Sequence, residues 1–236
     1  MTEVERLTEA IRPELYTIRH DLRDLRSLVE ADDKIGNFLI ERIELAMETT
    51  LGCIVLARGD LAYPVATLAR NMLELTIGTF WAASSPERAA EASGASVAEL
   101  MRIMKTLLAK GHAKIVNKRT GEDKTGFMRE AIEKRNIGRR RQIAELAREC
   151  GLGHFYDRFY PMQSMPSHGH SMGLSGGRGE QEGLYAMMVA VRAHLKAIHF
   201  IVAKQIRQKQ PTTIAELDGF LMVGLVRPAD RTSGAA

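Results

Sequence analysis

Apolar residues recur along most of this chain at the three- and four-residue steps of an α-helix. Over residues 3–31 the stripe is Leu7, Ile11, Leu15, Ile18, Leu22, Leu25 and Val29, and the opposite face carries Arg12, Arg19, Asp21, Arg23, Asp24 and Arg26. The seam is coiled-coil-like but short, which predicts packing within a bundle. Pro13 either starts the main helix or kinks it. A second stripe runs over 34–58 through Ile35, Leu39, Ile43, Ala46, Thr50, Ile54 and Ala57. Arg58-Gly59-Asp60 ends it, with Gly59 suited to the position just past the helix and Asp60 placed to cap the next one. In a helix connection that triplet is a turn, not an integrin-binding signal.

The stretch 61–83 (LAYPVATLARNMLELTIGTFWAA) breaks the pattern by being apolar on nearly every side, with Arg70 and Glu74 its only charges. Such a helix belongs in a core. Its two charges lie one turn apart on one face, and unpaired buried charge is costly. The sequence therefore predicts a central helix carrying a polar centre. Ser85 and Pro86 then signal a new helix. It extends over 86–110, with a break expected at Ser93-Gly94 and Val97, Leu100, Met101, Met104, Leu107 and Leu108 facing inward. Residues 111–126 turn polar and basic and read as a mobile loop. Lys124-Thr125 resembles the end of a phosphate-binding loop, but Asp123 stands where that motif needs glycine, and no strand precedes it.

A basic helix is expected over 127–150, a short one near 155–168, and a long one over 183–208 with Leu184, Met187, Met188, Val191, Leu195, Ile198 and Val202 inward. A Gly/Ser-rich segment near 169–182 separates the last two. Thr213 can cap a final helix over 214–225, and 227–236 reads as a disordered tail. No strand alternation is present. The prediction is a single all-α domain over 1–226, a bundle of about seven or eight helices.

Composition narrows the function classes. Hydrophobic residues make up 45% and charged residues 26% of the 236, as in ordinary globular chains. The net charge of +4 permits a nucleic-acid partner without requiring one. Cys53 and Cys150 lack zinc-type spacing and read as reduced thiols. The N-terminus has no apolar core of a signal peptide, and no run of about 18 apolar residues exists. The expectation is a cytoplasmic protein without a membrane partner, metal or cofactor. Long amphipathic helices and 12 methionines point to a homo-oligomer.

Three features could carry chemistry. Arg70 and Glu74 form the first. The second is 160–170, where Tyr160, Ser164, His168 and His170 mix phenol, hydroxyl and imidazole; histidine suits proton transfer. The third is the basic helix, whose Arg135, Arg139 and Arg140 could contact phosphates. No aromatic residue interleaves with them for base stacking.

The Ala69–Glu74 segment followed by Phe80-Trp81, with Tyr160, Ser164, His168 and Gly169 downstream, resembles a bacterial and phage family of uncharacterised all-helical proteins. The resemblance implies a shared polar centre of Arg70, Glu74, Tyr160, Ser164 and His168. The chain is also broadly similar to HEPN-type helical bundles, which include metal-independent ribonucleases of toxin and phage-defence systems. Their Arg–six residues–His spacing is matched by Arg192 and His199, although Ala193 follows the arginine where a polar residue is common. Two function classes stay open. One is an endoribonuclease in which His168 or His199 deprotonates a ribose 2′-OH and Arg70 or Arg192 holds the phosphate. The other is a helical interaction module that binds a partner protein, with Arg70, Glu74 and His168 fixing its packing.

Overall fold

The computed structural model of the protein describes residues 1–134, 141–167 and 178–221. Among these it has nine helices and no strand: α1 (Glu3–Ser27), α2 (Lys34–Arg58), α3 (Ala62–Ala83), α4 (Pro86–Ala109), α5 (Thr125–Glu133), α6 (Ile143–Glu149), α7 (Gly153–Ser167), α8 (Arg178–Gln208) and α9 (Ile214–Leu221). One isolated antiparallel bridge, Val116 with Asp123, closes a turn in the loop between α4 and α5.

Local chemistry sets most of the boundaries. Thr2 and Glu5 form a reciprocal capping box at the start of α1, and Asp33 accepts from the Gly36 N–H at 2.8 Å to cap α2. Ser85 accepts from the Arg88 N–H at 3.2 Å, with Pro86 in the first turn of α4. Pro13 does not break α1, which runs through it. The turn at 58–60 differs from expectation. Leu61, not Asp60, is the N-cap of α3 and makes no side-chain cap bond. Asp60 instead takes the left-handed conformation (φ 56°) and accepts a 2.8 Å hydrogen bond from Gln181 of α8. Aspartate tolerates that backbone better than most residues.

Helix α3 is the hub, packed against α2, α4, α6, α7 and α8. Helix α8 lies beside it and also meets α1, α2 and α9. The expected stripes of α1 and α8 are buried: Ile11, Leu25, Leu184, Met188, Val191, Leu195, Ile198 and Val202 are all wholly inaccessible. Residues 181–208 form the one described helix long and apolar enough to cross a membrane, but half of that window is buried inside the bundle, as in a core helix.

Two further expectations fail. Helix α4 runs unbroken past Ser93-Gly94, and its second half is mostly outside the core: Leu108 is buried, whereas Val97 and Leu100 are exposed. Periodicity marks an apolar face but not whether a neighbour covers it. The basic stretch 127–150 is not one helix but α5 and α6, and 135–140 between them lie outside the described residues.

Several buried threonines are bonded locally. Thr50, Thr76 and Thr79 each donate to the carbonyl one turn back, at 2.7–2.8 Å. Thr76 Oγ1 also lies 3.0 Å from Nδ1 of the buried His194. Because the Thr76 hydroxyl donates to Met72, the proton between them belongs on Nδ1, and His194 is neutral. Burial pushes its pKa from 6.5 down to about 3. An unfolded chain binds a proton at His194 near pH 6.5 and the folded chain does not, so acid favours unfolding. We expect stability to fall by up to about 1.4 kcal/mol per pH unit below pH 6.5 from this group. Urea unfolding between pH 7.5 and 5 checks it: His194→Asn should flatten that slope, and an unchanged slope would refute the assignment.

Candidate functional site

Arg70 and Glu74 sit where α3 passes beneath the gap between α2, α6 and α7. Arg70 Nε donates to Glu74 at 3.0 Å. A terminal nitrogen of the same guanidinium donates to the Tyr160 hydroxyl of α7. Its central carbon stands 4.7 Å from the centre of the Tyr160 ring, a cation–π contact. Tyr160 in turn stacks on Tyr156 one turn earlier, with ring centres 4.4 Å apart. Burial raises the Tyr156 phenol to about 12, and the adjacent Tyr160 and Glu74 add to the shift, so it stays protonated at neutral pH. The Arg70 side chain is 21% exposed and that of Glu74 36%, so this polar centre is not sealed.

It forms one wall of a cleft of about 850 Å³. Arg42 and Thr49 of α2, Asn71 of α3, and Arg141 and Gln142 before α6 complete the polar lining. Arg141 is held in place by carboxylates, Glu91 of α4 at 3.4 Å and Glu149 of α6. Glu149 also accepts from the Trp81 indole at 3.0 Å, and the two donors hold its pKa below the usual range. Arg42 has no such partner among the described residues. Its guanidinium lies 4.2 Å above the Phe38 ring, and burial lowers its pKa, with only neighbouring Glu41 opposing.

The structure thus brings Arg70, Glu74 and Tyr160 together. Ser164 lies one turn after Tyr160 on α7. His168, Gly169 and His170 fall outside the described residues, as do Arg135, Arg139 and Arg140. Arg192 and His199 line neither this cleft nor the cavity beside it. They face α1: Arg192 Nε donates to Glu14 at 2.9 Å, joined there by Lys196, and His199 Nε2 lies 2.7 Å from Asp21, which Arg207 also bonds. Partial burial pushes Glu14 and Asp21 upward, but their hydrogen-bond partners, chiefly Arg192 and Arg207, prevail and hold both carboxyls below their usual range. Among the described residues no three His, Cys, Asp or Glu side chains gather in a metal-binding group.

Arg42, Asn71 and Tyr156 were not singled out as site residues from the sequence, whereas Arg141 and Gln142 entered only as part of the expected basic helix, with Gln142 beside Arg135 and Arg139 as a possible phosphate contact. A signal existed for Arg42 and Tyr156. Arg42 interrupts the apolar run Phe38-Leu39-Ile40 to Ile43, and Tyr156 precedes Tyr160 by one helical turn. Nothing in the sequence placed Arg141 or Gln142 near α3.

No curated protein and no solved structure matches this chain. A family described as of unknown function, DUF5677, matches residues 44–183. That span contains Arg70, Glu74, Arg141, Tyr156 and Tyr160, but neither the Glu14 and Asp21 end of α1 nor Arg192 and His199. As it covers more than half of the 236 residues, the chain belongs to this family of unknown function, DUF5677.

Proposed function

We propose that the Arg70 cleft binds a phosphate-bearing ligand, in a cytoplasmic helical protein with an accessory or defence role in a bacterium or phage. The observation that carries the reading is the setting of Arg70. A salt bridge and a phenol hydroxyl hold its guanidinium on the wall of an open cleft, toward which Arg42 and Arg141 also converge. Guanidinium groups fixed this way suit phosphate oxygens, because little side-chain freedom remains to be lost on binding. The free thiols Cys53 and Cys150 fit a reducing compartment. The bacterial or phage setting rests on the sequence resemblance alone. Self-association or a partner protein would use the exposed Val97, Leu100 and Ile103 of α4.

RNA cleavage of the HEPN type is the second reading. It is favoured by the stacked Tyr156–Tyr160 pair beside Arg70, since bases stack on aromatic rings while guanidinium groups hold phosphates. In this reading His168 takes the proton from a ribose 2′-OH, the oxygen attacks the adjacent phosphorus, and the 5′ oxygen leaves. Arg70 stabilises the negative charge that builds on the non-bridging phosphoryl oxygens. Arg192 and His199, each held by a carboxylate of α1, fit a packing role better.

A fluorescent single-stranded RNA, read by anisotropy across a salt series, tests the site. Arg70→Met should weaken binding about tenfold and lower the salt slope by about 0.7, the loss of one phosphate contact. A folded Arg70→Met protein with wild-type affinity and slope would rule the phosphate site out. Absence of RNA binding by the wild type at low salt would leave Arg70 as an architectural group in an interaction module.

Cleavage has its own readout. Incubation of RNA with wild type should yield 2′,3′-cyclic phosphate ends. His168→Gln should abolish them, whereas His199→Gln should retain them and only melt at lower temperature. The reverse pattern would move the chemistry to α8.

A further inference from the structure

Beside the polar cleft lies a second cavity of about 720 Å³, within the size range of small-molecule sites. The two share Arg42, Arg141 and Leu146. The walls of the second are largely apolar: Phe38 of α2, Trp81 of α3, Ala92 and Ala95 of α4. Two helix-interior residues that line it have no side chains. A methyl group built at Gly78 of α3 or at Gly94 of α4 would meet nothing within 4 Å. Glycine is disfavoured inside a helix relative to alanine, so the chain carries a cost at both positions, and each lines this cavity.

The charges around it are unequal. Arg102 pairs with Glu99 at 2.8 Å, and Arg141 with Glu91 and Glu149. Arg42 alone among the cavity's arginines makes no ion pair or side-chain hydrogen bond among the described residues, and its sequence neighbour Glu41 acts on it only through space. A half-buried guanidinium on an aromatic ring, facing an apolar space, attracts one negative charge carried on an apolar body.

We propose that this cavity binds a small amphipathic monocarboxylate, its carboxylate on Arg42 and its apolar body between Phe38, Trp81 and the two glycines. The ligand differs in class from the phosphate-bearing one of the Arg70 cleft, and Gly78 lines only the apolar cavity. The two readings can therefore fail separately.

Trp81 is the single tryptophan of the chain and lines the cavity, so its emission reports on occupancy. The full chain is titrated with decanoate below its micellar range, with 1-decanol as the uncharged counterpart, by Trp81 fluorescence and calorimetry. Saturable decanoate binding is expected, at least tenfold tighter than decanol. Gly78→Leu should weaken it at least tenfold while leaving the melting temperature unchanged or higher and RNA affinity unchanged. Gly94→Leu fills the same space from the opposite helix and should do the same. Arg42→Met should bring decanoate down to the level of decanol. The proposal is overturned if wild type shows no saturable decanoate binding, if both glycine variants bind decanoate like wild type, or if Arg42→Met keeps the preference for the carboxylate.

Discussion

Helix α3 can be buried against five neighbours only if its two charges escape the core, and much of the bundle's irregularity follows from that constraint. Ala69, Met72, Leu73 and Ile77 are wholly buried around Arg70 and Glu74. Leaving either charge unpaired among them would cost several kcal/mol. The solution is a gap between α2, α6 and α7 into which both side chains project. There Arg70 donates to Glu74 and to Tyr160. The same gap is the cleft, so the candidate site is a by-product of how the hub helix is accommodated.

A second set of charges borders the gap. Arg141 ties the chain before α6 to Glu91 on α4 and to Glu149 on α6, and Glu149 reaches Trp81 on α3. Three elements are thereby held around one indole ring. The arrangement separates a polar cleft from an apolar cavity while leaving Arg42 at the boundary of both. A guanidinium with no ion-paired carboxylate among the described residues, placed between two kinds of surface, is the most informative single residue here. Other arginines along these walls are answered within the chain.

Helix α8 shows the complementary solution. It is apolar enough by composition to pass for a membrane span, yet its interior face packs on α3 with His194 kept neutral against Thr76. Its polar edge is answered by α1, through Glu14 and Asp21. Arg192 and His199 have the spacing of a catalytic pair because one helix face repeats at that interval. Here the same interval places each opposite a carboxylate of α1, where an ion-pair seam also needs it.

The sequence by itself determined the helical class, the core stripes of α1 and α8, the Ser85-Pro86 start of α4 and the central place of α3. Each follows from local periodicity or capping, which act within a few residues. It also singled out Arg70 and Glu74, because two charges in an apolar helix need partners, while the family resemblance joined Tyr160 to them. Tertiary structure alone decided the rest. Val97 and Leu100 have the right period for a core face but stay exposed to solvent. Asp60 was free to cap α3 until Gln181, far along the chain, offered it a different partner. Arg42, Arg141 and Tyr156 join the site from α2, from the chain before α6 and from α7. Which residues converge across such separations depends on how helices stack, and no local pattern encodes that.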